Sequence, residues 1–136
     1  AASLADLLGV ADVVSLHVPL SDATRGMIGA DQFAQMRPGA VFINTARGEL
    51  VDQEALLHRI ETGDLYAVLD VTTPWSLPQQ SGFYASPNVL LTPHVAGSLG
   101  SELERMAAST VEEALRIARG ESLRFPLRVA DLAFTA

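Results

Sequence analysis

The sequence predicts an α/β fold built on a parallel sheet. Short apolar runs alternate with segments of helical periodicity, and the connections between them are short. The runs are apolar at successive positions, as in parallel strands covered on both faces. The 136 residues are 49% hydrophobic, enough for one compact domain with a core.

Ser3 is placed to cap a short helix through Leu8, with Leu4, Leu7 and Leu8 as its apolar stripe and Gly9 as its stop. Residues 12–18 read as a strand ending at Pro19, followed by a polar loop from Ser21 to Gly26. A second helix spans Ala30 to Met36, burying Phe33 and Met36, and Pro38-Gly39 stops it. The strand 40–44 follows. Asp52 caps a helix to about Thr62, with Ala55, Leu56, Ile60 and Leu57 inward and Gly63 at its end. Strand 65–69 leads into a long irregular stretch, Val71 to Pro87, and strand 88–91 leads to the final helix, 98–119. Ser101-Glu102-Leu103-Glu104 has the capping-box pattern. Leu99, Leu103, Met106, Thr110, Ala114 and Ile117 recur on one helical face, and Gly120 closes it. The tail, 121–136, is expected to be extended.

Composition removes several classes of function. The net charge of −7 argues against nucleic acid or an anionic membrane surface as partner. The nine basic residues are all Arg, so Schiff-base lysine chemistry and a P-loop lysine are excluded. With no Cys, disulfides, thiolate metal sites and Cys nucleophiles are excluded, and a reducing cytoplasm is the expected compartment. The three His are scattered without HExxH or an acidic cluster, so no metal site is expected. No apolar run approaches the ~20 residues of a membrane span. The N-terminus does not read as a signal peptide, because no basic segment precedes an apolar one. Ala1-Ala2-Ser3 starts without Met and already inside a helix, the pattern of a piece of a longer protein.

Three strands end in residues that do chemistry. Strand 40–44 runs into Asn44-Thr45-Ala46-Arg47-Gly48, strand 65–69 into Asp70, and strand 88–91 into Thr92-Pro93-His94. In an open α/β sheet all three emerge at the carboxyl edge, where such folds bind ligands. Arg47 presents a planar fork for a carboxylate or carbonyl oxygen, against the plainer reading of a surface Arg on a turn. Asp70 can accept hydrogen bonds from a ligand amide or hydroxyl, or simply cap the next turn. His94, directed by Pro93 and followed by the flexible Gly97, can exchange a proton near neutral pH. The stretch Val71–Pro87 is long for a compact domain and holds the single Trp, Trp75, whose plainer role is to anchor the loop. His17 stands at another strand end, where it can line the same crevice. His58 reads as solvated, and Glu49 and Asp52 as turn and cap residues. No G-x-G-x-x-G, G-x-S-x-G or P-loop pattern occurs, so a Ser hydrolase has little support.

These segments resemble the D-isomer-specific 2-hydroxyacid dehydrogenases, the group of phosphoglycerate, glycerate and formate dehydrogenases. The resemblance rests on residues 12–20, 36–40, 44–52, 69–71 and 87–98, which keep order and spacing from about residue 3 to residue 120. It implies a Rossmann-like parallel sheet with flanking helices, incomplete here. Residues 1–120 would be the C-terminal half of the dinucleotide-binding domain and 121–136 a tail belonging to the substrate domain or disordered. The family arginine matches Arg47, which would bind the substrate carboxylate and carbonyl. The family histidine matches His94, which would trade a proton with the 2-hydroxyl. Asp70 would face the nicotinamide side. Thr45, Ala46, Val95, Ala96 and Gly97 match cofactor-lining positions, with Val18, Pro19 and Thr24 bordering them. The implied cofactor is NAD, with NADP an alternative, and the implied substrate a small 2-hydroxy or 2-keto acid.

Two departures stand out. The glycine-rich phosphate loop with its strand–helix–strand unit, which carries the acidic residue that selects NAD over NADP in such folds, is absent from this sequence. The family also usually pairs the histidine with a Glu five residues after the position of Asp70, and Trp75 stands there. No acid lies between Val71 and Ser101 to replace it. A carboxylate partner fixes the imidazole tautomer, so its loss motivates a second hypothesis, a non-catalytic dinucleotide-responsive interaction protein on the same fold. A third is an α/β piece without ligand function. A sheet with exposed edges and apolar surface is expected to self-associate, with a homodimer as the simplest product.

Overall fold

The computed structural model describes residues 3–129 and 131. Part of the predicted tail, 130 and 132–136, lies outside them. The chain divides into two compact units, one running to His94 and one beginning at Val95.

The first unit holds α1 (Leu4–Val10), β1 (Val13–Leu16), α2 (Ala30–Gln35), β2 (Ala40–Asn44), α3 (Gln53–Glu61), β3 (Leu65–Leu69), α4 (Gly82–Ala85) and β4 (Val89–Leu91). A single 3-10 turn, Gly48–Leu50, follows β2. The four strands are all parallel, in the order β1-β2-β3-β4. The α/β parallel sheet predicted from the sequence is the observed architecture, and β2 and β3 have the expected limits.

Burial alternates along the strands, because successive side chains point to opposite faces. Val14, Leu16, Ala40, Phe42, Leu65, Ala67 and Leu69 point into the core. Leu8 of α1, Phe33 of α2 and Leu56 and Ile60 of α3 meet them, with Met36 just beyond α2. Phe33 and Phe42 pack edge to face with ring centroids 5.3 Å apart. On the opposite face Val13, Tyr66 and Leu90 are exposed. On that face the central strands β2 and β3 keep Val41, Ile43 and Val68 half-buried, so it is apolar, as expected, but only partly covered.

Other local expectations are corrected. β1 stops at Leu16 because its partner there is Asn44, the last residue of β2, and nothing remains to pair with His17 and Val18. β4 starts at Val89, although the Asn88 carbonyl still accepts the Ala67 N–H at 2.9 Å. Ser3 caps α1 in a reciprocal box with Asp6, whose carboxyl is held below the usual carboxylate range by the Ser3 N–H and hydroxyl. Gly9 does not end that helix, which continues to Val10 and closes where the Ala11 N–H reaches the Leu7 carbonyl at 3.0 Å. Only Leu8 of the predicted stripe is buried, and Leu4 and Leu7 are exposed. α2 stops at Gln35, one residue short of the buried Met36. The stretch after Val71 is not wholly irregular, since α4 buries Phe83 within it.

In the second unit α5 spans Ser101–Ala118. Its N-cap is Gly100 at φ 56°, without a side-chain cap, so the predicted Ser101 capping box does not form. The chain enters through a left-handed residue that glycine adopts without strain, and Ser101 is already inside the helix. None of its described residues is buried: Leu103, Met106 and Ile117 of the predicted apolar face are exposed, as is Leu99 before the helix. Gly120, at φ 70°, ends it as expected. The segment that follows folds back on it. The Glu113 carboxylate accepts the Arg124 N–H at 3.0 Å, and the Arg116 Nε donates to the Ser122 carbonyl at 2.8 Å.

Among the described residues no helix is long and apolar enough to cross a membrane, and no three His, Asp or Glu side chains gather to hold a metal.

Candidate active site

The sheet register builds the site. Leu16, Asn44, Leu69 and Leu91 lie abreast across the four strands. At about 4.8 Å per strand, Asn44 and Leu91 stand roughly 10 Å apart at one carboxyl edge. Asp70 follows the row by one residue, and Arg47 and His94 each by three. The convergence expected from the sequence is therefore set by pairing.

Asn44 organises the first of these segments. It occupies the inward position after Ala40 and Phe42 and is 1% exposed. Its Oδ1 accepts the Ala46 N–H at 3.0 Å and its Nδ2 donates to the Arg47 carbonyl at 2.9 Å. A buried amide that satisfies loop backbone in this way fixes the loop's shape. The sequence places Asn44 in the chemistry-bearing segment without a role of its own, although a polar residue in an inward strand position was the available signal. The turn is pinned from its far side as well. The Gly26 N–H donates to the Glu49 carbonyl at 2.8 Å and the Ile28 N–H to the Leu50 carbonyl at 3.1 Å. Thr45, Ala46 and Arg47 are half-buried. The Arg47 Nη1 rests on the Ala46 carbonyl, 2.7 Å away.

Gly48 explains how closely this turn meets the next segment. A Cβ there would lie 2.4 Å from the Thr72 carbonyl carbon and 2.6 Å from its oxygen. Both are backbone atoms that a side chain cannot push aside. The loop after Asp70 is also tied to α3. The Gln53 side chain accepts the Thr73 N–H at 3.1 Å and donates to the Thr73 carbonyl. The Thr72 hydroxyl reaches the carbonyls of Pro74, at 2.9 Å, and Trp75, at 3.1 Å. The Thr73-Pro74 peptide is cis. No sequence signal marked Gln53 or Thr72, since both act through a fold that brings distant segments together.

Asp70 is 3% exposed, and its Oδ1 accepts the Thr92 hydroxyl. Its N–H donates to the Asn44 carbonyl at 3.0 Å, and the Thr92 N–H to the Leu69 carbonyl at 3.0 Å, so both segments leave the sheet in register. His94 has φ 54°, left-handed and uncommon outside glycine. Its ring meets the Trp75 indole at a centroid distance of 4.6 Å and a tilt of 34°. Its Nδ1 is buried without a hydrogen-bond partner among the described residues. Trp75 is otherwise 72% exposed, so it is not the buried loop anchor its plainer reading made it.

Two cavities flank the pair. One of about 40 Å³ is lined by Asp70, Val71, Thr72, Trp75, Thr92, Pro93 and His94. The other, about 310 Å³, shares Thr72, Trp75, Thr92 and Pro93 and adds Ser76, Leu77, Tyr84 and Leu91.

The remaining candidates are placed as follows. Val18, Pro19 and Thr24 are half-buried in the loop after β1, where the Thr24 hydroxyl donates to the Pro19 carbonyl at 2.7 Å. His17 is exposed and bonded to the Ser15 hydroxyl at 2.8 Å. His58 is exposed on α3, and Asp52 caps that helix by accepting the Ala55 N–H. Val95, Ala96 and Gly97 open the second unit and are exposed.

Comparison with known proteins decides the family. The family model described as D-isomer specific 2-hydroxyacid dehydrogenase, NAD binding domain, matches residues 1–96. The chain belongs to this family. It is 38% identical over 115 residues to the glyoxylate/hydroxypyruvate reductase B of Escherichia fergusonii, covering 84% of this chain and 36% of the relative. It is 42% identical over 114 residues to the (S)-sulfolactate dehydrogenase of Chromohalobacter salexigens, covering 83% of this chain and 37% of the relative. The crystal structure of D-lactate dehydrogenase with NAD+ from Lactobacillus jensenii superposes with a TM-score of 0.86 at 34% identity, over 93% of this chain and 42% of that one. The 2-hydroxyacid dehydrogenase sheet is thus the sheet seen here, and the chain spans little more than a third of each curated relative.

A nicotinamide cofactor fits the donor set of this edge. The Asp70 carboxylate lines the smaller cavity, and the small Thr45 and Ala46 side chains stand half-buried at the same edge. These groups suit the nicotinamide end, while the phosphates need a glycine-rich turn that this sequence does not contain.

Proposed function

We propose that this chain supplies the C-terminal half of the dinucleotide-binding domain of a nicotinamide-dependent 2-hydroxyacid dehydrogenase. Residues 1–120, with α5 in place of the longer helix 98–119 expected from the sequence, form that half, and 121–136 belong to the substrate domain. The row Leu16–Asn44–Leu69–Leu91 carries the proposal, because it delivers Arg47, Asp70 and His94 to one sheet edge in a chain of this family.

The reaction is the reversible reduction of a 2-keto acid to a 2-hydroxy acid. Bound NAD, or NADP in the same place, supplies or accepts the hydride at the substrate's C2. Arg47 holds the substrate carboxylate with its guanidinium fork and draws electron density from the 2-keto oxygen. His94 gives that oxygen its proton in reduction and takes it back in oxidation. Asp70 accepts hydrogen bonds on the nicotinamide side. Thr45, Ala46, Val95, Ala96 and Gly97 line the cofactor, and Val18, Pro19 and Thr24 border it. This chain alone is expected to be inactive, because the groups that hold the cofactor phosphates are not among its residues.

The substrate class is the small 2-keto acids named by the relatives, such as glyoxylate and hydroxypyruvate. A phosphoglycerate dehydrogenase-like substrate is a further candidate on the family resemblance. The relatives named above are reductases and dehydrogenases, which favours the enzyme over the non-catalytic alternative suggested by Trp75. The complete protein is expected to consume NADH or NADPH with at least one 2-keto acid, followed at the nicotinamide absorbance band. No consumption with glyoxylate, hydroxypyruvate or bulkier analogues contradicts the proposal. Arg47→Lys keeps the charge and loses the fork, so KM for the keto acid should rise about tenfold, the worth of one charge-assisted hydrogen bond. An unchanged KM removes Arg47 from substrate binding.

We place the enzyme in the reducing cytoplasm, as a homodimer. The exposed Val13 and Leu90, on the edge strands β1 and β4, support self-association. Sedimentation at micromolar concentration tests it, and a monomer contradicts it.

A further inference from the structure

The pairing of Trp75 with His94 lies outside the family pattern. The ring centroids are 4.6 Å apart, at the close end of aromatic contacts, and the tilt of 34° sets the rings closer to face-to-face than to edge-on. The indole is delivered there by a fixed loop. Thr72 holds the Trp75 carbonyl through its hydroxyl, and Gln53 grips both backbone groups of Thr73. The His94 ring is aimed by a left-handed backbone.

The result is a ring with two unlike nitrogens. Nδ1 is sealed from solvent and has no hydrogen-bond partner among the described residues. Asp70 lines the same 40 Å³ cavity and its carboxylate receives the Thr92 hydroxyl, yet no hydrogen bond joins it to Nδ1. A neutral imidazole carries one N–H and one lone pair. Buried N–H groups left without an acceptor are rarer in folded proteins than under-used acceptors. The proton therefore belongs on the other nitrogen.

We infer that Trp75 is a positioning residue that locks neutral His94 in the tautomer with its proton on Nε2, the reverse of what a carboxylate at position 75 would impose. On the dehydrogenase reading proposed above, this neutral tautomer hydrogen-bonds the keto oxygen through Nε2–H, and the ring must give up that proton before Nε2 can take one from a hydroxyl, which slows oxidation relative to reduction.

The test does not depend on turnover, so it can fail while the dehydrogenase reading stands. Long-range 1H–15N correlation spectra of the full chain, at a pH above the ordinary imidazole range, report which ring nitrogen is protonated. The expected result is one tautomer for His94, with acceptor-like Nδ1 and protonated Nε2. The exposed His58 serves as an internal control that averages between tautomers. Trp75→Phe keeps a stacking ring and should leave the His94 pattern unchanged. Trp75→Glu offers Nδ1 an acceptor and should reverse it, and Trp75→Gln should do the same through its carbonyl if the Glu variant does not fold. A wild-type His94 that averages like His58, or that carries its proton on Nδ1, overturns the inference. So does a His94 pattern unchanged in the folded Glu or Gln variant.

Discussion

His94→Asn in the complete enzyme is expected to lower kcat by about 10²–10⁴-fold, the usual worth of a positioned general acid or base. Asn is the right replacement, because position 94 sits at φ 54° and Asn tolerates the left-handed region better than Ala. The fold should survive, and the loss should be chemical. KM for the keto acid should stay within a few-fold, because the proposal assigns the carboxylate to Arg47 on a different strand end. The measurement is steady-state kinetics alongside a thermal melt. A variant that melts normally and turns over at the wild-type rate removes His94 from the reaction.

Gly48→Ala is the second large effect, and it acts without touching substrate. The added methyl would stand 2.4 Å and 2.6 Å from backbone atoms of Thr72. One loop must move. Overpacking of this kind costs about 1–3 kcal/mol, which should appear as a lower Tm. The larger consequence is geometric, because Gly48 adjoins Arg47 and Thr72 fixes the backbone of Trp75. A displacement of about 1 Å in such a site costs on the order of 10²-fold in rate. The expected outcome is therefore a fall in kcat/KM well beyond what the fall in Tm explains. Unchanged Tm and kcat/KM would show that the two loops do not depend on their close approach.

Much of the frame was legible because its signals are local. β2 and β3 are short apolar runs bounded by turn residues, and both lie where the sequence placed them. The caps at Ser3 and Asp52 follow from side-chain chemistry that acts within three residues. That Arg47, Asp70 and His94 leave the same sheet edge was legible for the same reason, since each lies within three residues of a strand end and parallel pairing sets those ends abreast.

What the sequence hid is non-local. α4 is four residues long and shows no periodicity to read. The contact of Gly48 with Thr72 and the grip of Gln53 on Thr73 join segments more than 19 residues apart through the tertiary fold. The Ser101 box failed because Gly100 entered the helix first, through a conformation the local pattern does not encode. Trp75 shows both sides of this limit. Its departure from the family Glu was plain in the sequence, whereas its stacking on His94 depends on the Thr72 clamp and on one left-handed residue.

The central claim is that at this sheet edge C2 of a 2-keto acid receives a hydride from the nicotinamide while its keto oxygen receives a proton. Stereospecifically 4-deuterated NADH, given to the complete protein with a 2-keto acid it reduces, tests it most directly. Each face of the nicotinamide is labelled in turn, and the product is read by mass spectrometry. Deuterium carried to C2 of the 2-hydroxy acid from one face only, with the rate lost in His94→Asn, is the predicted result. Product without deuterium from either face, or transfer that proceeds at full rate in His94→Asn, contradicts it.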